Sequence, residues 1–179
     1  MKTDNIERYL ESFGKQVVNR SKGNLQKAGK GGKLEDSIKF EVITTPDGFT
    51  VQFYMSSYGQ FVDKGVSGTQ KKRKYKDYQS KTISSPYKYT NKQPPAGILA
   101  KWISRKRIKG RDKKSGRFIT NLSLAFIIGR AIKRDGIQGI SFFQKPLGLG
   151  LKQFGKDLLG NVKQDIIDTL NKETITQVN

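Results

Sequence analysis

The stretch IKFEVITTPDGFTVQFYM, residues 38–55, has the pattern of a β-hairpin and is the strongest indication of the fold. Apolar Ile38, Phe40 and Val42 alternate with charged residues, and the TPDG sequence that follows favours a turn. The alternation resumes after the turn, with Phe49, Val51, Phe53 and Met55. We therefore expect two antiparallel strands with one apolar face. Because an isolated hairpin is marginally stable in water, a helix must cover that face.

The N-terminal segment supplies one helix for this role. Asp4 is a suitable N-cap and Glu7 follows three residues later, as in a capping box. Residues 19–33 then contain four glycines and five cations with little to bury, which predicts a mobile loop. Before this loop, Ile6, Leu10, Phe13 and Val17 form an apolar stripe at helical spacing, which is the face of the predicted helix that packs on the hairpin.

A short helix is predicted directly after Pro94 and Pro95, since proline is favoured in the first turn of a helix. For its single tryptophan, Trp102, both core packing and a contact between subunits fit the pattern. The apolar side of this helix consists of Ile98, Leu99, Trp102 and Ile103.

Two more helices complete the predicted chain. The first is capped by Thr120 or Asn121 and stops at Gly136. The second spans about residues 146–170, and its apolar stripe is long enough to serve either the core or a partner surface. That stripe consists of Leu147, Leu151, Phe154, Leu158, Val162, Ile166 and Leu170.

Together these elements predict a single α+β domain over residues 1–179. In it, a small antiparallel sheet packs against an N-terminal helix and a long C-terminal helix, and long basic loops project from this body. A chain of 179 residues with 34% hydrophobic content can bury one moderate core. The longest unbroken apolar run, residues 124–128, is far below the ~20 residues that a bilayer requires, so we expect no membrane partner.

The charge of the chain is strongly asymmetric. Residues 64–117 contain 18 Lys or Arg and only two acids, so they hold +16 of the net charge of +20. Such a cluster is typical of a protein that binds a polyanion, although a solvated loop that maintains solubility is the alternative.

Two segments carry this charge: an extended basic excursion at about residues 66–93 and a second basic loop at about residues 104–118. Long excursions of this kind are usually functional or disordered. We expect their cations to contact DNA or an acidic partner. The candidates are Lys71, Lys72, Arg73, Lys74, Lys76, Arg105, Lys106, Arg107, Lys109, Arg111, Lys113 and Lys114.

Catalysis has little material in this chain. It has no histidine and no cysteine, which excludes imidazole and thiolate chemistry and leaves only carboxylate-bound Mg²⁺. Asp112 and Lys114 have the spacing of a D-x-K nuclease signature but no strand pattern around them. We therefore expect no enzyme, no catalytic residue, no metal and no cofactor. The acids considered are Glu35, Asp36, Glu41, Asp47, Asp63 and Asp112.

Two weaker patterns have more than one interpretation. The glycine runs at residues 29–32 and 148–150 lack the spacing of a phosphate-binding loop and are better explained as hinges. Four tyrosines among the lysines either stack on bases or pack within the protein. They are Tyr75, Tyr78, Tyr87 and Tyr89.

Four sequence islands, taken in order, resemble one known family. They are GKLEDSIKFEV (residues 32–42), YGQFVDKGVSG (58–68), PPAGILAKWISRKRI (94–108) and LAFIIGRAIKRDGIQGISFFQKPL (124–147). This arrangement is similar to that of the tail-completion or head–tail joining (neck) proteins of tailed bacteriophages. The chain departs from the family pattern at Gly59, where alanine is usual, and at Asp63, where glutamate is usual. The pattern does not account for the basic excursion.

The resemblance implies a structural virion protein that forms a ring of six or twelve copies in the neck or upper tail, around the DNA channel. Its partners would be neighbouring portal, adaptor and tail proteins, together with genomic DNA held by non-specific contacts. It would be found in the virion and, during assembly, in the host cytoplasm. The alternatives are a free nucleic-acid-binding protein without sequence specificity and, third, a carboxylate-metal nuclease.

Seven residues are expected to pack, turn the chain or lie at an interface. Gly65 is placed where the backbone needs an angle that other residues resist. The full set is Tyr58, Phe61, Val62, Gly65, Trp102, Phe142 and Phe143.

Overall fold

The computed structural model describes residues 3–176, with side chains as far as Leu170. In chain order the helices are α1 (Asp4–Lys27), α2 (Lys33–Asp36), α3 (Gly59–Lys64), α4 (Ala96–Arg105), α5 (Asn121–Asp135) and α6 (Gln144–Thr176). The strands are β1 (Lys39–Thr45), β2 (Gly48–Tyr54), β3 (Val66–Ser67), β4 (Lys74–Lys76), β5 (Thr82–Ser84) and β6 (Gly136–Ile137). The strands form three two-stranded sheets, β1 with β2, β3 with β6 and β4 with β5. The predicted α+β class is confirmed.

The chain forms two compact units, each built from separate segments. Unit 1 comprises Met1–Gly59, Lys76–Lys81 and Ser141–Asn179. Unit 2 comprises Gln60–Tyr75 and Thr82–Ile140. That all 179 residues act as one domain stays a prediction.

The predicted hairpin is confirmed in unit 1. Strands β1 and β2 are antiparallel, with Phe40 opposite Phe53 and the turn closed by Thr45 and Gly48. Helix α1 packs on β1, and the Phe13 ring lies 6.4 Å from that of Phe53 in an edge-on arrangement. The N-terminal helix therefore covers the apolar face of the sheet, as the hairpin requires.

The start of α1 differs from the prediction. Asp4 is the first residue inside the helix, and Thr3 at the N-cap makes no side-chain capping bond. The free N–H groups are satisfied from α6 instead: Asp165 accepts from the Asn5 N–H at 3.1 Å and from the Ile6 N–H at 3.0 Å. A carboxylate 160 residues away in sequence from Asn5 thus takes the place of the predicted local capping box.

The predicted loop at residues 19–33 is wrong over most of its length, because α1 continues to Lys27. The apolar stripe extends further than its first four members, since Val18 and Leu25 are also buried. Ser21 is buried too, and its hydroxyl donates to the Val17 carbonyl at 2.8 Å. Burial of this face outweighs the low helix propensity of Gly23.

The long C-terminal helix is confirmed and packs on α1 within unit 1. The first half of its stripe, including Leu147 and Phe154, faces an apolar groove between α1 and β2, while Ile166 and Leu170 remain exposed. The hinge predicted at residues 148–150 is wrong, because these residues lie inside α6 and are closely packed. Gly148 lies so close to the Tyr78 carbonyl that a side chain has no room, and a Cβ at Gly150 would lie 2.7 Å from the Phe13 ring.

Unit 2 is built on the pairing of α4 with α5. The predicted N-cap of α5 is confirmed, since Thr120 accepts from the Ser123 N–H at 3.2 Å. The helix ends at Gly136, which has φ +72° as its predicted stop position requires. None of the described helices is long and apolar enough to cross a membrane.

Candidate nucleic-acid interface

The second basic segment, residues 104–118, begins with the last two residues of α4 and continues as an ordered loop towards α5; we call it the basic tongue. Its two sides are joined by a bridge between Arg111 and Phe118 and by a bond from the Ile119 N–H to the Gly110 carbonyl at 3.1 Å. All seven cations predicted for this segment are exposed. The tongue therefore presents them on a hairpin-like loop of defined shape.

The tip of the tongue is closed by its single acid. The Asp112 carboxylate accepts from the Ser115 N–H at 2.8 Å, the Ser115 hydroxyl at 2.9 Å and the Lys114 N–H at 3.1 Å. These bonds, those from Ser115 foremost, lower the pKa of Asp112. Asp112 is thus a turn residue, and it does not form part of a D-x-K metal site.

One aromatic ring organises the sides of the tongue. Phe118 is 60% exposed, and the Arg111 guanidinium lies 4.4 Å from its ring centre. The Lys109 ammonium lies 5.7 Å from the same centre. These cation–π contacts hold two of the predicted cations in place while their charges remain at the surface.

The first basic segment is less of an excursion than predicted. Strands β4 and β5 give it regular structure, and Tyr75 is buried between the exposed Lys74 and Lys76. Lys71 and Lys72 are also exposed. Alternation along β4 buries the ring and presents the charges.

Arg73 differs from the other predicted contact residues. Its Nε donates to the Asp135 carbonyl at 2.7 Å, and its guanidinium lies 3.5 Å from the Gly136 carbonyl. It is half-buried and ties β4 to the end of α5. We therefore assign Arg73 a structural role in unit 2.

Unit 2 carries nearly all of the net charge. By sequence it contains 19 Lys or Arg and three acids, a net charge of +16 out of +20 for the chain. Of the three acids, Asp63 is buried, Asp112 closes the tongue and Asp135 pairs with Arg134 at 2.7 Å. The exposed cations thus have few carboxylates within their own unit to neutralise them.

The structure separates the two interpretations of the four tyrosines. Tyr75 is buried, Tyr87 packs edge-on against Phe61 with ring centres 4.5 Å apart, and burial raises the pKa of Tyr89. Of the four, Tyr78 is the exposed one, at 45%. Packing therefore accounts for the other three.

The predicted packing and turn residues fall into two groups. Gly65 has φ +73°, as expected, and Phe142 is fully buried. The Val62 carbonyl accepts from the Ile140 N–H at 3.1 Å. The ring centres of Phe143 and Phe53 lie 5.4 Å apart. The others are substantially exposed: Tyr58, Phe61 and Trp102.

Of the two roles left open for Trp102, core packing is not the one that the structure favours. The side chain is 40% exposed and its neighbour on the helix face, Ile98, is 68% exposed. Only Ile103 of this helix is fully buried. Ile98 and Trp102 are four residues apart and therefore share one face of α4, and this face lies outside the core.

The acids considered for metal chemistry do not converge. Among the side chains that the structure describes, as far as Leu170, no group of three or more acids could hold a metal ion. Glu35 bonds to the Gln26 side chain, and Glu41 accepts from the Tyr54 hydroxyl at 3.1 Å. These acids serve local structure.

Sequence reasoning left out some cations of the same surfaces. Arg117 lies in the tongue and is exposed, and Lys88 is exposed beside β3. Counting every cation within each basic segment would have found both. Comparison with known proteins adds nothing further: no family model, no curated protein and no solved structure matches this chain.

Proposed function

We propose that this chain is a structural protein of a tailed-phage virion, which forms a ring in the neck or upper tail around the DNA channel. The single observation that supports the proposal most directly is the concentration of charge in unit 2, with an ordered tongue of exposed cations. The basic surfaces would contact DNA phosphates or acidic faces of neighbouring rings. The order of the four sequence islands supplies the link to phage neck proteins.

Non-specific contacts fit this role physically. Contacts from Lys and Arg to phosphates release counterions and position the nucleic acid without reading its sequence. A ring repeats each tongue around a lumen, so a modest attraction per copy becomes a continuous cationic lining.

A second candidate rests on the same charge: a free protein that binds nucleic acid without sequence specificity as a monomer or dimer. Ile98 and Trp102, exposed at 68% and 40% on one face of α4, favour an assembled protein over a free monomer, because a contiguous exposed apolar patch marks a contact surface. The nuclease alternative has no supporting observation, since the described acids do not converge.

Imaging of purified particles tests the proposal directly. We expect density for this chain at the neck, arranged as identical copies around the channel. Native mass spectrometry of the isolated chain, alone and with its connector, provides the second measurement. A chain that stays a tightly DNA-binding monomer under both conditions, and lies away from the DNA conduit in particles, would contradict the ring.

The role of the tongue is tested by charge removal. The change Lys113→Ser with Lys114→Ser should lower the salt slope of duplex binding by about 0.9 for each phosphate that is no longer neutralised. The matched control removes two exposed cations from unit 1, Lys15→Ser with Lys152→Ser, and should leave the slope nearly unchanged. Equal effects of the two pairs would mean that net charge alone, without a defined surface, drives binding.

A further inference from the structure

A second feature of unit 2 has the chemistry of a ligand site. A cleft of about 360 Å³ opens between residues 67–72 and residues 84–88. Its lining has four hydroxyl groups and two ammonium groups but no carboxylate. The ammonium groups belong to Lys72 and Lys88, and the hydroxyl groups to Ser67, Thr69, Ser84 and Ser85.

Backbone bonds fix the two walls of the cleft. The Ser67 N–H donates to the Tyr87 carbonyl, and the Ser67 carbonyl accepts from the Tyr89 N–H, both at 2.8 Å. Further along the same walls, the Ser85 N–H donates to the Arg73 carbonyl at 2.8 Å. A ligand therefore meets a site whose main chain is already in place, which reduces the ordering cost of binding.

Ser67 is the most informative group in the lining. It is only 6% exposed, and its Oγ accepts from the Arg73 N–H at 3.0 Å. A serine hydroxyl has one hydrogen to donate besides its acceptor lone pairs. Because Oγ acts as the acceptor in that bond, its hydrogen can be donated to a ligand at the wall of the positively charged cleft.

We propose that this cleft binds one phosphate group, either inorganic phosphate or a phosphodiester of a nucleic-acid backbone. Lys72 and Lys88 balance the negative charge, and the Ser67 hydroxyl donates the hydrogen bond that fixes the position of one oxygen. The proposed function of unit 2 is the basis only for choosing DNA as the natural source of the phosphate. The phosphate chemistry itself depends on the lining.

The test is a titration of the full chain with inorganic phosphate at constant ionic strength, monitored by the amide signals in NMR. We expect shifts confined to residues 67–72 and 84–88. The pair Lys72→Ser with Lys88→Ser should weaken binding roughly tenfold or more, because two charge-assisted hydrogen bonds are removed. The matched pair in unit 1, Lys15→Ser with Lys152→Ser, removes the same charge and should change the phosphate affinity less than about twofold.

Ser67→Ala adds a test of the hydroxyl and should weaken phosphate binding several-fold. If that buried change unfolds the protein, the two exposed lysine pairs still decide the outcome. Equal weakening by both pairs, or shifts spread evenly over cleft and tongue, would overturn the site. A tighter response to polyglutamate than to phosphate or duplex DNA would assign the cleft to an acidic protein and would also overturn the proposal.

A titration with duplex DNA distinguishes the two phosphate sources. If the Lys72→Ser with Lys88→Ser variant has a lower salt slope of DNA binding than wild type, the nucleic-acid backbone is the ligand. If the slope is unchanged while wild type still binds inorganic phosphate, the ligand is the free ion. Ring formation, measured separately by native mass spectrometry, bears only on the proposed function. Ring formation without phosphate binding would overturn the proposed phosphate site alone. Phosphate binding without ring formation would overturn the proposed function in the neck alone.

Discussion

The two units differ in what holds them together and in what they present. Among the side chains that the structure describes, thirteen apolar ones are buried, and nine of these lie in unit 1, which has a net charge of +4 by sequence. Unit 2 has only four of them and a net charge of +16. Since like charges repel, a surface this basic destabilises its own fold. Most of the buried apolar core and most of the net positive charge therefore lie in different parts of one chain.

Unit 2 compensates with backbone contacts in place of a large core. Its strands β3 and β6 are joined where glycines let the chain approach itself closely, and a Cβ at Gly65 would overlap the Gly139 nitrogen. Backbone bonds from Thr69 and Gln70 to the Lys133 and Arg134 carbonyls, at 2.9 and 3.0 Å, extend the same junction. Such a network needs little apolar area, so the surface stays free for cations.

The largest effect is expected in the core of unit 1. Phe142→Ala removes a fully buried ring and should lower the free energy of unfolding by about 4 kcal/mol. The control is Phe118→Ala in unit 2, where the ring is exposed and the loss should stay below about 1 kcal/mol. Urea unfolding measures both. Similar losses at the two sites would contradict the division of stability between the units.

The second effect probes the junction in unit 2. Gly65→Ala places a side chain at φ +73° against the Gly139 backbone and should cost about 3 kcal/mol. Gly97→Ala serves as the control, because nothing lies within 4 Å of the added Cβ, and we expect no loss. Hydrogen exchange should find reduced protection at β3 and β6. Unchanged protection there would argue against glycine contacts as the basis of unit 2.

The third effect concerns the carboxylate that caps α1. Burial alone would raise the pKa of Asp165, but the hydrogen bonds from the Asn5 and Ile6 N–H groups and the Asn5 side chain, with nearby Arg8, lower it below its ordinary value. Asp165→Ala should cost about 2 kcal/mol at pH 7. The control is Asp157→Ala, an exposed acid on the same helix, which should be nearly neutral.

The pH dependence of this cap has a definite sign. Because the folded pKa of Asp165 is lowered, the carboxylate stabilises the fold above its unfolded value of about 3.9. That contribution is lost as the pH falls through the folded pKa. The difference in unfolding free energy between wild type and Asp165→Ala should therefore shrink in acid. A difference that stays constant from pH 7 to pH 2 would mean that packing, not charge, explains the loss.

The smallest effect separates structure from charge display in β4. Arg73→Lys keeps the charge but removes the planar fork that reaches the Asp135 and Gly136 carbonyls, and should cost about 1 kcal/mol. The salt slope of DNA binding should not change. Lys74→Ser should do the opposite, with stability retained and the slope reduced. A reduced slope for Arg73→Lys would return Arg73 to the set of contact residues.

Local sequence patterns predicted the elements well where one face is buried. The alternation over residues 38–55 specified both strands and their turn, and the stop at Gly136 followed from a glycine at a helix end. The predictions failed where burial by distant parts of the chain outweighs local propensity. At residues 19–27 glycine and lysine suggested a loop, yet burial of Leu25 against the rest of unit 1 continued the helix.

The candidate surface was predicted in composition but not in detail. Sequence counting found most of the exposed cations, because charge requires no knowledge of distant contacts. It assigned Arg73 to the surface because nothing local reveals that the Asp135 and Gly136 carbonyls lie within reach of its guanidinium. The tyrosines were ambiguous for the same reason, since packing partners such as Phe61 lie far away in sequence.

The α+β class, the hairpin and the concentration of charge could be predicted from local patterns, because periodicity and composition act over neighbouring residues. The cap that Asp165 forms on α1, the burial of Ser67 in a cationic cleft and the ordered hairpin of the tongue are visible only in the folded chain. Each of these depends on groups brought together across a fold. A one-dimensional pattern does not record such distances.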